Sequence, residues 1–209
     1  MMKISISKQQ LSELPMEHYT GRIEVIDTLS GAESAVNQLR GTELIGFDTE
    51  TRPTFKKGQT HDVALLQLAS TECSYLFRLN IIGMPECLKE LLEDPNQIKI
   101  GLSTHDDFRN LKKKYEDLKP EGFIELQNYV TRWNIIDKSL SKIYGILFGK
   151  RLSKSQRLSN WEAEQLAEAQ QHYASLDALA CIRIYVHLSK GGFKPEDSKY
   201  SIDFEEEEI

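Results

Sequence analysis

Cysteine is scarce: the 209-residue chain has three, Cys73, Cys87 and Cys181, with no CxxC spacing among them. That odd, scattered set excludes a disulfide framework and offers no structural zinc site. No apolar run approaches the roughly 20 residues of a membrane span. The start, MMKISISKQQL, lacks the continuous apolar segment of a secretory signal. These absences point to a cytoplasmic protein in a reducing compartment, with no membrane partner. No internal repeat occurs. Positive charge is also short. The net charge of −6 counts, on its face, against a nucleic-acid partner.

What is present tempers that last exclusion. Residues 138–157 carry Lys138, Lys142, Lys150, Arg151, Lys154 and Arg157 with no acid among them, while Asp203 and the run 205–208 hold much of the negative excess. A basic stripe on an acidic body can still track a phosphate backbone. Solvated helix faces account for the same charges equally well. With 40% apolar and 28% charged residues, the chain fits one soluble domain with a sizeable core. The expected division is an N-terminal extension over 1–21, a domain over 22–190 and a loose acidic tail over 191–209.

Strands are expected at 22–27, 44–49, 62–69, 73–79, 97–102 and 124–126, the third and fourth forming an antiparallel hairpin across Ser-Thr-Glu. Helices are expected at 31–39, 84–92, 105–115 and 139–148, with two more between 161 and 188. Residues 51–60, with Pro53 and Gly58, read as a mobile loop. An early hairpin followed by alternating helices and strands predicts a mixed sheet flanked by helices.

Four acids stand at three separated points of this pattern. Asp48 and Glu50, two apart at the end of LIGFDTET, share one strand face at the edge where open α/β sheets place ligands. In IGLSTHDDFRNL, Phe108, Leu111 and Tyr115 define the buried helix face at roughly 100° per residue. Asp107 borders that face, and Asp106 points towards water, where it favours the helix N-terminus. In HYASLDALAC, Tyr173 and Asp177 lie four apart on one helix face, whereas His172 is rotated roughly 140° from Asp177. Each motif alone occurs by chance or for packing. Carboxylates gathered in one pocket, however, repel each other unless a cation neutralises them. Convergence of the four therefore points to divalent-metal and phosphate chemistry.

In this order and spacing the motifs FDTET, VALLQLA, IGLSTHDDFRNL, LSKSQRLSNWE and QHYASLDALAC resemble the DEDD superfamily of 3′–5′ exonucleases. The resemblance is to its tyrosine (DEDDy) branch, which includes RNase D and the Werner syndrome exonuclease, and it runs from about Ile23 to Leu188. It implies an α/β, ribonuclease H-like fold with a mixed five-stranded sheet. It also implies metal-dependent hydrolysis of the 3′-terminal phosphodiester of DNA or RNA, releasing nucleoside 5′-monophosphates. The partner is single-stranded or 3′-ended nucleic acid, and the cofactors are two divalent cations, Mg²⁺ or Mn²⁺.

By the same resemblance Asp48, Glu50, Asp107 and Asp177 are the metal-binding acids. Asp48 bridges the ions, and Tyr173 positions the attacking water. His172 matches the histidine spacing of the sister DEDDh branch and is the alternative for that role. Thr49, Thr51, Phe108, Lys154, Arg157, Asn160 and Trp161 are the candidate substrate contacts. For Trp161 core packing at a helix start, with Asn160 as its cap, is the preferred account. Phe108 is also read mainly as core. The rival functional class is a binding module of the same fold that holds nucleic acid without cutting it.

Overall fold

The computed structural model describes residues 2–56 and 58–203. In chain order the elements are β1 (Met2–Ile4), α1 (Lys8–Glu13), β2 (Arg22–Ile26), α2 (Leu29–Arg40) and β3 (Leu44–Thr51). β4 (Val63–Ala69), β5 (Cys73–Phe77), α3 (Leu79–Ile82), α4 (Glu86–Glu93), β6 (Ile98–Gly101) and α5 (Thr104–Lys112) follow. The chain closes with β7 (Phe123–Glu125), α6 (Leu126–Tyr129), α7 (Leu140–Phe148), α8 (Glu168–Ser189) and β8 (Ser201–Asp203). Short 3₁₀ turns lie at Val130–Trp133 and Pro195–Asp197.

The main sheet has six strands in the order β2-β5-β4-β3-β6-β7, and β4 alone runs against the others. The resemblance implied five strands; the residue pattern itself placed all six. Reversal of β4 brings its first residues to the same sheet edge as the last residues of β3, β5, β6 and β7. That edge is where an open α/β sheet positions ligands. β4, VALLQLA, is buried along its whole length, as a central strand covered on both faces must be.

Two apolar layers cover the sheet. On one face α2 and α4 pack over Ile45, Phe47, Leu66 and Leu68, with Leu111 of α5 joining them. On the other lies α8, whose middle, residues 174–184, is buried nearly all round. A helix with that pattern belongs inside the molecule rather than on its surface. It is sandwiched between the sheet and a layer made by α7 and the N-terminal segment. The two helices expected between 161 and 188 are thus one helix preceded by turns, because α8 gains its stability from burial rather than from an amphipathic stripe.

The N-terminal segment is part of this layer. Ile4 and Ile6 are fully buried, and the Asp137 carboxylate accepts hydrogen bonds from the Ile6 amide (2.8 Å) and the Ser5 hydroxyl (3.0 Å). Glu17 accepts from Tyr144 (2.9 Å) and Lys150 (3.1 Å). At the other end β8 pairs antiparallel with β1, and Tyr200 is buried. Residues 2–20 and 200–203 therefore pack with the body, so the division expected at 22 and 190 does not mark a boundary in the packing. The alternation Ile4-Ser5-Ile6 carried that signal in three residues, too few for a periodicity to register. The acidic run 205–208 lies outside the described residues. Among the described residues no helix is long and apolar enough to cross a membrane.

Candidate active site

β3 builds the first half of the site. Its residues 45–47 are buried and its last residues are partly exposed, so Asp48 and Glu50 stand where the strand leaves the core. Both project from one face, because side chains alternate along a strand. Gly46, two residues earlier, points the same way and faces α8. A Cβ on Gly46 would lie 2.0 Å from the Ala178 carbonyl oxygen, so the α8 backbone rests directly on the strand. Only glycine permits that approach, and it delivers Asp177 beside Asp48. Carboxylate oxygens of Asp48, Glu50 and Asp177 lie within 4.8 Å of one another.

Asp107 arrives from the far side of β3. It sits one turn into α5, and its carboxylate accepts a short hydrogen bond from the Thr49 hydroxyl. α5 begins on Ser103, a non-glycine residue in the left-handed conformation (φ 64°), and Ser103 supplies no side-chain cap. Glu125, at the end of β7, does that work instead. It accepts from the Ser103 and Thr104 amides (2.9 and 2.7 Å), the Thr104 hydroxyl (2.8 Å) and the Gln127 amide (2.9 Å). Those amides are the free donors of a helix start. Gly101 lets this junction close over Phe47, since a Cβ there would meet the Thr104 methyl at 2.5 Å.

Electrostatics follow from the crowding. Burial and then Asp177 push the Asp48 carboxyl well above the usual range. Burial, then Asp48, Asp177 and Asp107, push Glu50 up to about 10, with Arg157 opposing. Burial and Asp48 push Asp107 up to about 8 against the Thr49 hydrogen bond. Burial pushes Asp177 up to about 7, opposed by a hydrogen bond from the Tyr173 hydroxyl and by the charge of Lys154. The Tyr173 phenol is itself driven well up by burial and by these acids, so it is a donor at any ordinary pH. Oxygen ligands that resist ionising together are what a hard divalent cation relieves, and the donor set fits Mg²⁺ or Mn²⁺.

The remaining expected residues divide sharply. His172 is half-exposed and lies 3.8 Å from Glu168, while Tyr173 bonds Asp177; the geometry favours the tyrosine. Trp161 is fully buried and packs against Tyr173 with ring centroids 6.0 Å apart, so it has no face for a base. Asn160 caps no helix. Its side-chain oxygen accepts from the Glu162 amide within a turn (3.1 Å). Phe108 packs on Phe47 and Phe123 (5.8 and 4.8 Å) and is a border of the core. Thr49 acts on Asp107, as above, and Thr51 sits at the register shift of β3 against β4.

The basic stripe over 138–157 is likewise not one surface. Lys138 donates to the Gln127 carbonyl (2.8 Å), Lys142 pairs with Asp137 (2.5 Å), Lys150 pairs with Glu17 (3.1 Å) and Arg151 donates to the Leu14 carbonyl (3.1 Å). Lys154 and Arg157 instead line a small cavity of about 100 Å³ with Ser139, Ser153, Tyr173 and Asp177. Glu162 pairs with Arg52 (3.1 Å) and His61 (3.0 Å), joining the loop after β3 to the turn after Trp161. Glu125 was not legible as the partner of α5, nor Glu162 as that of the loop after β3, since these bonds span 21 residues or more.

Comparison with known proteins bears on this arrangement. A family model described as 3′–5′ exonuclease matches residues 23–192. The mouse (Mus musculus) bifunctional 3′–5′ exonuclease/ATP-dependent helicase WRN is 32% identical over 206 residues, covering 91% of this chain and 14% of that protein. The chain thus spans a small part of that relative. Among solved structures, the Aedes aegypti Nibbler EXO domain superposes with a TM-score of 0.74 at 20% identity, covering 87% of this chain and 96% of that one. Escherichia coli RNase D superposes with a TM-score of 0.70 at 23% identity, covering 82% and 46% respectively. These two likenesses establish a shared fold.

Proposed function

The chain belongs to the 3′–5′ exonuclease family, hydrolases of phosphodiester bonds, and from that premise we propose that it is a metal-dependent exonuclease removing nucleoside 5′-monophosphates from the 3′ end of a nucleic acid. The observation that carries the reading is the meeting of Asp48, Glu50 and Asp177 within 4.8 Å, with the Tyr173 hydroxyl on Asp177. Asp48 would be shared between two divalent ions, Glu50 and Asp177 would hold one, and Asp107 would support the other through water. Bound Mg²⁺ or Mn²⁺ supplies Lewis-acid activation of water and neutralises charge on the departing 3′ oxygen.

The chain's own groups do the rest. The Tyr173 hydroxyl, held protonated by burial, orients the attacking water while Asp177 fixes its direction. Lys154 and Arg157 sit beside the acids and offer charge to the phosphate next to the scissile bond. Trp161 acts from behind, keeping Tyr173 in place by packing.

The test uses 5′-labelled single-stranded DNA and RNA with wild type and Asp177→Ala, in Mn²⁺, Mg²⁺ or chelator. The expected result is a metal-dependent ladder that shortens from the 3′ end and is absent in the variant; the faster substrate reveals the sugar preference. Tight binding with no ladder under either metal would replace this reading with the binding module. Collapse of the rate in His172→Ala but not in Tyr173→Phe would transfer the water-orienting role to the histidine.

A further inference from the structure

β4 contains one residue that its surroundings do not explain. Gln67 is fully buried in VALLQLA, a strand otherwise apolar throughout. Among the described residues neither its side-chain oxygen nor its nitrogen has a hydrogen-bond partner. A buried group left unpaired costs roughly 1–3 kcal/mol, and a leucine of similar volume would avoid that cost. Retention of the amide therefore asks for a use.

The sheet register supplies one. Gln67 is the direct cross-strand partner of Asp48 on β3, and Leu76 of β5 stands on its other side. Opposite residues of an antiparallel pair project from the same face, with Cβ atoms about 4.5–5.5 Å apart. Along β4 the neighbours on that face are Leu65 and Ala69. Of these four flanking side chains only that of Asp48 can hydrogen-bond. Asp48 is also the acid assigned the shared position between the two ions, where the orientation of both carboxylate oxygens matters most. Outer partners of this kind fix the direction of a metal-binding side chain.

We propose that Gln67 is a positioning residue for Asp48, its amide donating to the carboxylate and fixing which oxygens face the ions. The inference rests on the proposed ion site. It assigns Gln67 no contact with substrate.

The experiment measures Mn²⁺ affinity of the resting protein by calorimetry or electron paramagnetic resonance, without nucleic acid, for wild type, Gln67→Leu and Gln67→Met. Metal-free melting temperatures and oligonucleotide kinetics accompany it. Both variants should melt at or above the wild-type temperature. Their Mn²⁺ affinity should weaken by about 10- to 100-fold, and kcat should fall while KM for the oligonucleotide holds. Wild-type Mn²⁺ affinity in both variants would overturn the inference and leave the exonuclease reading intact. Failure of both variants to fold would also overturn it, by making the amide a requirement of the metal-free core. A wild-type protein that binds no Mn²⁺ would instead sink the proposed function, and this inference with it.

Discussion

Two helices deliver acids to the same sheet edge, α8 with Asp177 and α5 with Asp107, and they are held there by opposite means. The middle of α8, residues 174–184, is buried nearly all round and lies with its backbone on Gly46, so its position is set by steric fit. α5 has nine residues, only Thr104 and Leu111 of them buried, and is fixed chiefly at its first turn by the Glu125 carboxylate. Packing holds one acid and hydrogen bonding holds the other. Packed interiors respond to an added methyl group throughout, whereas a cap governs only the turn it satisfies. The same loss of activity should therefore arise from a global change at one helix and from a local change at the other.

The largest effect should come from Gly46→Ala. Its new Cβ would sit 2.0 Å from the Ala178 carbonyl oxygen and 2.8 Å from the carbonyl carbon, and backbone cannot swing aside as a side chain can. Overpacking of this severity should cost about 3 kcal/mol. Separation of Asp177 from Asp48 should abolish Mn²⁺ binding in whatever protein still folds. Urea unfolding with Mn²⁺ titration checks both. An alanine variant of unchanged stability would show that α8 is not seated on β3 as described.

Glu125→Ala should be milder and confined. Loss of the acceptor for the Ser103 and Thr104 amides should cost about 1–3 kcal/mol. Glu125→Gln, with one carbonyl oxygen in place of two carboxylate oxygens, should fall between wild type and alanine. Hydrogen exchange is the discriminating readout: α5 amides should lose protection while α8 amides keep theirs, and activity should fall in step with α5. Equal loss in both helices would erase the contrast between them.

The same contrast decides what could be read from sequence. The four acids and Tyr173 were legible because each stands in a local pattern, a strand end or one helix face. All six strands of the main sheet were legible for the same reason. Long-range supports were not. Nothing in FIELQN marks Glu125 as the cap of a helix that begins 21 residues earlier. Gln67 reads as a polar lapse in an apolar strand until the register sets it opposite Asp48. The basic stripe was misleading because charge is visible in sequence and its pairing is not: Lys150 is taken by Glu17 of a distant segment, and Lys142 by Asp137, which stands just outside the stripe. Trp161 was placed at a helix start, whereas α8 begins at Glu168; the buried middle of α8 lacks the amphipathic stripe that periodicity would have followed back to that start.

The smallest effect should appear in the pH dependence of the metal-free protein, and it separates the two acids once more. Asp177 and Asp107 are raised from 3.8 to about 7 and about 8, and Glu50 from 4.5 to about 10. A carboxyl raised on folding keeps its proton in the native state after the unfolded chain has lost it. The unfolded state then binds fewer protons, so stability falls as pH rises. The fall begins near the unfolded values, and the share from Asp177 is complete by about 7 whereas that from Asp107 continues to about 8. Metal-free melting temperature should therefore drop by a few degrees between pH 5 and 8. Asp107→Asn, which retains an acceptor for the Thr49 hydroxyl, should melt above wild type by a margin still growing between pH 7 and 8. Added Mn²⁺ should reverse the wild-type trend, because ion and protons compete for the same oxygens. A metal-free protein that gains stability from pH 5 to 8 would mean that the acids are not crowded together, and the contrast between their two helices would lose its shared destination.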